Sequence, residues 1–293
     1  MATATSRLGS LQAVELPEGT IRYHERGHGQ PLVFVHGILA NADVWRNVVP
    51  ELADRYRCIT PDWPLGAHEA PMRPGTDFSL FGLADLVIRT LSALDLDDVI
   101  LVGNDTGGAI CQAVAARNPS RVARLVLTPC DAFDNFLPMP IRHLQLTGRT
   151  PAGLRLLAEA LRFRAVQRLP IAFGLLTRRP IPAEIMASYT GPLRRYPAVR
   201  RDFARLVSAI SKRFTEEAAY GLRGFGRPAL LAWSRQSFFP LAHAERLAGI
   251  LPDAHLEIIE NSGPFVAEDA PHELARLIDQ FVDGREPPHR ENH

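Results

Sequence analysis

The sequence contains little that points to secretion or to a membrane span. Its 293 residues include three cysteines, Cys58, Cys111 and Cys130, which are too few and too scattered for a disulfide framework. We therefore predict buried free thiols. Residues 1–7 lack the apolar core of a signal peptide, and no uninterrupted apolar run reaches membrane-spanning length. The sequence thus predicts a soluble, cytoplasmic protein with no membrane partner.

An excess of charge of one sign is also missing. The 33 Lys and Arg residues balance 32 Asp and Glu residues, and the formal net charge of +1 gives no bulk electrostatic reason to expect nucleic acid or an anionic membrane. Lysine occurs once, at Lys212, and the glycines after Asp105 form neither a phosphate-binding loop with a lysine nor a dinucleotide-binding pattern. No zinc-ligand spacing is visible. We predict no nucleic-acid partner, no cofactor and no metal, and the oligomeric state stays open.

What is present is the pattern of a parallel α/β protein. Hydrophobic residues make up 46% of the chain and charged residues 22%, enough for a full core. Apolar runs predict strands at residues 31–35, 57–60, 99–102, 125–128, 229–233 and 255–259. Helical spacing predicts helices at residues 43–52, 80–94 (with Ser79 as N-cap), 106–118 and 271–282. This alternation predicts a mostly parallel sheet with helices on both faces.

One long insertion interrupts the pattern. Residues from about 133 to 212 carry no strand signal and many prolines, and they are predicted to form several short helices. We therefore divide the chain into a core, residues 1–132 and 213–293, and a helical lid, residues 133–212. Arginines far outnumber acidic residues in the lid. Because guanidinium groups suit planar oxygen acceptors, one hypothesis is an anionic or carbonyl-rich substrate contacted by lid arginines.

The segment at residues 103–107, Gly-Asn-Asp-Thr-Gly, carries the chemistry. It follows a predicted strand and precedes a predicted helix, and glycines stand two positions before and two after Asp105. A sharp strand–turn–helix connection requires small residues at these two positions, because larger side chains would collide with the adjoining strand and helix. The carboxylate of Asp105 is therefore predicted to project at the end of the sheet. The alternative is an aspartate that only caps the helix.

Three segments together resemble a known superfamily. Residues 35–37 (Val-His-Gly), 61–68 (Pro-Asp-Trp-Pro-Leu-Gly-Ala-His) and 101–108 (Leu-Val-Gly-Asn-Asp-Thr-Gly-Gly) resemble the α/β-hydrolases. The aspartate places the chain beside the haloalkane dehalogenases and soluble epoxide hydrolases. The resemblance covers roughly residues 20–131 and 215–283. It implies the α/β-hydrolase fold with an inserted lid, a nucleophilic Asp105, and the backbone N–H groups of Ile38 and Thr106 as an oxyanion hole. It implies a structural role for His36.

The sequence departs from this family at the other catalytic positions. Where the family has its catalytic histidine, the chain has Pro264, and counting back from Pro240 places Gln236 at the usual acid position. Asp131, after the predicted sixth-strand position of the family, is a candidate secondary acid. Dehalogenases carry tryptophan directly after the nucleophile, where this chain has Thr106. The candidates for a tyrosine that protonates an epoxide are Tyr189, Tyr196 and Tyr220. The candidates for a histidine that replaces the missing base are His68, His143, His243, His255 and His272. Each of these residues also fits an ordinary packing or surface role.

Three functions remain open from the sequence. The first is an atypical hydrolase of epoxides, esters or related small organic substrates, with Asp105 as nucleophile and a relocated base. The second is a lyase, isomerase or cyclase in which burial raises the pKa of Asp105 and makes it a general base. The third is a catalytically silent binding protein. We favour an enzyme, because both the turn around Asp105 and the oxyanion motif are intact.

Overall fold

An eight-stranded sheet runs through the protein, and this computed structural model describes residues 7–284. Residues 1–6, which belong to the stretch searched for a signal peptide, and residues 285–293 lie outside the described part. The strands are β1 (Ser10–Leu16), β2 (Gly19–Arg26), β3 (Gln30–Val35), β4 (Tyr56–Pro61), β5 (Val99–Asp105), β6 (Val122–Cys130), β7 (Ala229–Ser234) and β8 (Ala254–Ile259). Their order is β1-β2-β4-β3-β5-β6-β7-β8. β2 pairs antiparallel with β1 and β4, and the other pairs are parallel.

All six predicted strands are confirmed, with slightly longer bounds. β1 and β2 form an antiparallel hairpin at one edge of the sheet and were not predicted from the sequence. Most of β1 is exposed, so it lacks the continuous apolar run that marks a buried parallel strand, whereas every residue of β5 is buried.

Twelve α-helices accompany the sheet in the described residues. They are α1 (Val49–Leu52), α2 (Leu80–Ala93), α3 (Thr106–Arg117), α4 (His143–Thr147), α5 (Pro151–Ala160), α6 (Arg164–Gln167), α7 (Ala183–Arg195), α8 (Pro197–Ala209), α9 (Lys212–Gly221), α10 (Leu241–Ile250), α11 (Val266–Asp269) and α12 (Pro271–Val282). The helices predicted at 80–94, 106–118 and 271–282 are confirmed. Ser79 caps α2, since its hydroxyl accepts a hydrogen bond from Gly82 N–H at 3.1 Å.

The single helix predicted at residues 43–52 is wrong. The chain forms a short 3₁₀ helix, Ala42–Trp45, and then the one-turn helix α1. Pro50 explains the break, because proline has no N–H to continue a helical hydrogen-bond ladder and is tolerated in the first turn, where it stands in α1.

Helices fill the insertion between β6 and β7. α5, α7 and α8 pack against one another, whereas α9 packs on α3 of the core. One contact between the insertion and the core is made by Tyr189 on α7, whose hydroxyl lies 3.3 Å from Glu268. Within the core, Arg46 donates to both carboxylate oxygens of this buried Glu268, at 2.5 and 2.7 Å. The boundary at 133–212 stays a prediction.

Two further observations concern the whole described chain. Cys58, Cys111 and Cys130 are buried and free, as predicted. In residues 7–284 there is no helix with both the length and the hydrophobicity needed to cross a bilayer.

Candidate active site

A sharp turn between β5 and α3 presents Asp105. Its backbone angles, φ 57° and ψ −133°, lie in a region that residues other than glycine rarely adopt. The two flanking glycines make this turn possible. A Cβ atom on Gly107 would lie 2.2 Å from the carbonyl oxygen of Val35, and one on Gly103 would lie 2.7 Å from the Cα of Gly108. Steric demand therefore explains both glycines.

Two backbone N–H groups converge on one oxygen of Asp105. Ile38 N–H donates to Oδ1 at 3.1 Å, and Thr106 N–H donates to the same atom at 2.7 Å. A Cβ on Gly37 would lie 2.4 Å from this oxygen, so glycine leaves the space that Oδ1 occupies. A simple helix cap accounts for the Thr106 bond alone, whereas the Ile38 bond comes from the loop after β3. Both donors hold Oδ1, which leaves Oδ2 as the oxygen for reaction.

A small apolar cavity lies above Asp105. Ile38, Leu39 and Asp105 form its floor. Its roof comes from the insertion between β6 and β7: Ile141, His143, Leu144, Leu157, Leu161, Ile171, Ala172, Phe173 and Leu176. The cavity volume is about 30 Å³, well below the roughly 300–1,000 Å³ of typical ligand pockets, so a substrate must displace side chains of the cavity walls to enter.

Lid arginines do not line this cavity. Its walls, as far as residues 7–284 form them, contain no arginine, and the hypothesis of arginine contacts to the substrate there is wrong. Of these roof residues only His143 was predicted as a candidate site residue. The others are aliphatic or aromatic side chains whose positions only the folded lid determines.

A second buried carboxyl group stands beside the first. Asp131, directly after β6, accepts a hydrogen bond on Oδ2 from the Thr106 hydroxyl at 3.0 Å, while its Oδ1 is buried without a partner. Burial and the charge of Asp105 raise the pKa of Asp131 well above its ordinary value. Burial also raises the pKa of Asp105, which the N–H groups of Thr106 and Ile38 partly oppose. Asp131 therefore holds its proton in the folded protein more tightly than a solvated aspartate does.

Replacing Asp131 with Asn is expected to stabilise the protein most at alkaline pH. The folded pKa of Asp131 is raised above the ordinary aspartate value of about 3.9, so the folded state binds this proton more tightly than the unfolded chain. Its contribution to stability is therefore fully present below pH 4 and is lost as pH rises through the folded pKa. Asn does not titrate, and we expect a gain of roughly 1–3 kcal/mol at pH 8 over the parent. Urea unfolding at pH 4.5 and pH 8 measures it. An equal change at both pH values would contradict the assignment.

Position 264 lies next to the turn but offers no base. Pro264 is buried, and its carbonyl oxygen accepts a hydrogen bond from Asn104 Nδ2 at 3.0 Å. The same amide group donates to the carbonyl oxygen of Pro129, also at 3.0 Å. Asn104 thus fastens the loop after β8 to the end of β6. The proline ring itself cannot accept a proton, and Gln236 is exposed in the loop after β7.

Of the candidate histidines, one reaches the cavity. His143 stands in the cavity roof, and its Nδ1 lies 3.2 Å from the carbonyl oxygen of Pro140. A proton on Nδ1 would satisfy that contact and leave Nε2 as an acceptor. The other candidates contact acidic side chains outside the cavity walls: His68 with Asp202, His243 with Asp134, His255 with Asp253 and His272 with Glu51.

The motif histidine is held by the backbone. Trp63 N–H donates to Nε2 of His36 at 2.9 Å, and Nδ1 lies 2.9 Å from the carbonyl oxygen of Gly37. Complete burial lowers the pKa of His36 to about 4, so the ring is neutral at physiological pH. These contacts join the end of β3 to the loop after β4. They indicate that His36 has a structural role.

Tyrosine and tryptophan are absent from the described cavity walls. Tyr189 is buried against Glu268, while Tyr196 and Tyr220 are exposed. The indole N–H of Trp63 donates to Phe34 and that of Trp233 to Phe239. The indole groups of Trp63 and Trp233 are therefore engaged elsewhere, whereas the buried indole Nε1 of Trp45 has no hydrogen-bond partner among the described residues. The Thr106 hydroxyl donates to Asp131.

Within residues 7–284, no group of three His, Cys, Asp or Glu side chains is arranged to hold a metal ion. The prediction that the chain uses no metal or cofactor remains a prediction.

Comparison with known proteins agrees with this architecture. A haloalkane dehalogenase from Mycobacterium tuberculosis is 28% identical over 283 residues, covering 89% of this chain and 90% of its own length. A cis-3-alkyl-4-alkyloxetan-2-one decarboxylase from Shewanella oneidensis is 28% identical over 275 residues, covering 89% and 85%. Among solved structures, a haloalkane dehalogenase from Bradyrhizobium elkani superposes with a TM-score of 0.78 at 22% identity, covering 94% of this chain and 98% of that one.

The family assignment rests on a further match, to a sequence profile. The sequence profile of the α/β hydrolase fold matches residues 30–271, a range that begins at β3 and ends at the first residue of α12. It therefore includes the turn at Asp105, the lid and the loop of Pro264. The chain belongs to the α/β-hydrolase fold family.

Proposed function

We propose that the chain is an enzyme whose Asp105 forms an ester with a small, apolar, electrophilic substrate. The observation that carries this proposal is the position of the carboxylate: Oδ1 is bound by two backbone N–H groups and the side chain lines an apolar cavity. Apolar walls favour an uncharged substrate, since a buried charge without a partner is costly. They also exclude water, which strengthens a carboxylate as a nucleophile.

The first chemical step follows from this arrangement. Oδ2 attacks an electrophilic carbon, the bond from that carbon to its leaving group breaks, and the leaving group takes the bonding electrons. Oδ1 then becomes the carbonyl oxygen of an ester and stays on the N–H groups of Ile38 and Thr106. If water later adds to this ester, negative charge develops on Oδ1, where the same two donors stabilise it.

Hydrolysis of the ester is less well supported than its formation. Water addition requires a base, and the family position for that base holds Pro264. His143 shares the cavity with Asp105 and is the remaining candidate for a relocated base. Asp131 does not orient a histidine in the described structure. Its side chain accepts from the Thr106 hydroxyl, and its backbone carbonyl oxygen accepts from Gln112.

A lyase is therefore the second candidate function. The relative from Shewanella oneidensis is named as a decarboxylase of a four-membered lactone. With such a substrate, Oδ2 of Asp105 would open the ring at the alkyl carbon and release a carboxylate. That carboxylate would lose CO₂, its electrons would form a C=C bond, and the ester C–O bond would break to restore Asp105. This sequence needs no water and no histidine, which suits a site with Pro264. With other substrates, a related lyase, isomerase or cyclase reaction could use Asp105 as a general base that removes a proton.

Trapping with a strained electrophile tests ester formation. On incubation with 1,2-epoxybutane or β-butyrolactone, we expect a stoichiometric mass increase on the peptide that contains Asp105. With the epoxide the adduct should persist, because the position at which the family has its water-activating histidine holds Pro264. Intact-protein and peptide mass spectrometry measure both results.

Three outcomes separate the candidate functions. Many turnovers of the epoxide to the diol would show that a relocated base exists, and His143→Ala should then stop turnover. Release of CO₂ and alkene from the lactone would support the lyase. If neither reagent modifies Asp105 nor turns over, the proposal fails and a binding protein becomes the better description.

A further inference from the structure

One part of the lid concentrates positive charge. Residues 161–181, the segment from Leu161 to Ile181, contain five arginines and no Asp or Glu. The even balance of the whole chain, +1, conceals this local excess. We call residues 161–181 the cationic segment.

The same segment exposes large apolar side chains. Phe163 is 53% exposed, Leu169 43%, Ile171 54% and Leu175 45%. Isolated exposed side chains of this kind are common, but four within thirteen residues, interleaved with arginines, form a pattern. Apolar side chains beside Arg on one short element are typical of surfaces that insert into the headgroup region of a bilayer.

Hydrogen bonds hold the cationic segment together as one unit. The side chain of Gln167 donates to the carbonyl oxygen of Leu161 at 2.8 Å, and the carbonyl oxygen of Gln167 accepts from Phe173 N–H at 3.0 Å. Gly174 N–H donates to the carbonyl oxygen of Leu169 at 3.1 Å. The chain therefore folds back on itself, and its exposed side chains belong to one compact unit.

Four of the arginines border a surface pocket, and the carboxylate of Asp269 accepts hydrogen bonds from the backbone N–H groups of two of them, Arg178 and Arg179. Arg164, Arg168, Arg178 and Arg179 line a recess of about 170 Å³ whose described walls include no carboxylate, and Phe173 is also part of it. None of the four forms an ion pair with a described residue of the chain. Their charge is thus available to an anion in solution or on a membrane.

The cationic segment contributes side chains to the cavity above Asp105. Ile171 is half exposed and also lines the cavity above Asp105, and Phe173 is shared by that cavity and the arginine-lined recess. An apolar molecule in a bilayer would therefore meet the mouth of the cavity at the same surface that carries the arginines.

We propose that the cationic segment docks the protein on the surface of an anionic phospholipid bilayer. The arginines contact lipid phosphates, and the exposed apolar side chains enter the headgroup region beside them. This attachment is peripheral and revises the sequence-based prediction of no membrane partner, which considered only spanning segments and net charge. It does not depend on the chemistry of Asp105, so Asp105→Asn should bind vesicles as the parent does.

Vesicle flotation measures the docking. With vesicles of phosphatidylglycerol and phosphatidylcholine in equal parts, we expect binding that falls when salt is raised and that is at least tenfold weaker on pure phosphatidylcholine. The double variant Arg164→Gln/Arg168→Gln should weaken binding about 25-fold, since each arginine near an anionic surface contributes roughly fivefold. Leu169→Ser/Ile171→Ser should weaken it as well.

Matched controls keep the test independent of folding. Arg194→Gln/Arg201→Gln removes two exposed arginines of the lid outside the segment and should leave vesicle binding within twofold of the parent. Thermal unfolding verifies that each variant is folded. Equal binding to both vesicle types, or an equal loss in the control variant, would overturn the proposal.

A soluble anion is the competing occupant of the recess. Inorganic phosphate, tested by calorimetry, would bind through the arginines alone. If inorganic phosphate bound in the recess while the parent bound neither vesicle type, docking would be refuted and the recess would be a site for a soluble anion.

Discussion

Asp105→Asn is expected to lower the rate of covalent modification by strained electrophiles on the order of 10⁴-fold or more. The amide has no charged oxygen and cannot replace Oδ2 as a nucleophile or base. Its carbonyl oxygen can still accept hydrogen bonds from the N–H groups of Ile38 and Thr106, so both observed hydrogen bonds to the side chain at position 105 can be retained. The rate of adduct formation on the parent and the variant, followed by mass spectrometry, gives the ratio.

Stability distinguishes a chemical loss from a folding defect. Because burial raises the pKa of Asp105, the folded protein carries a desolvated carboxyl group that Asn removes. The variant should therefore unfold at the same temperature as the parent or at a higher one. Retention of the full reaction rate would show that Asp105 is not the reacting group, whatever the stability.

Pro264→His combined with Gln236→Asp is expected to convert a single-turnover protein into one with multiple turnovers. The parent should accumulate the ester and stop, whereas a histidine at 264 places a base in the loop beside the turn, where it can activate water. The aspartate at 236 is intended to orient that histidine, as the third group of a triad does. Steady-state release of diol from 1,2-epoxybutane, at a rate the parent does not reach, is the measurement.

Two variants serve as controls for this gain. Pro264→Ala removes the proline ring without adding a base and should remain single-turnover, and Gln236→Asp alone should do the same. The double variant should depend on pH with a midpoint near that of histidine, since the base acts only when neutral. Turnover by Pro264→Ala would mean that proline blocks a base already present, with His143 the first candidate.

The core of the fold could be predicted because its signals are local. β3, β5 and β7 are continuous apolar runs that end at turn residues, and such runs specify buried parallel strands without knowledge of their neighbours. β1 carries no such signal, because its pairing with β2 leaves most of its side chains in solvent. Edge strands of this kind are determined by their partner and not by their own pattern.

The candidate site was predictable only as far as its backbone motif. The glycines around Asp105 and the pair His36-Gly37 report steric requirements that a short segment carries by itself. The roof of the cavity depends on how the lid helices pack, so Leu161, Ile171 and Leu176 carry no sequence signal of their role. The hypothesis of arginine contacts in the cavity failed for the same reason. The number of arginines in a segment does not tell which way their side chains point in the folded protein.

The hydrogen bond from Asn104 to residue 264 has a consequence for the history of the site. Asn104 binds the main-chain carbonyl oxygen there and not the side chain. The anchoring of the loop is therefore indifferent to which amino acid occupies the position, and codons for proline and histidine differ by a single nucleotide. A lineage could therefore exchange proline and histidine at this position in one mutational event, whereas a complete triad would also need an acid in place of Gln236. Exchange between hydrolysis and water-free chemistry would then be an accessible evolutionary step.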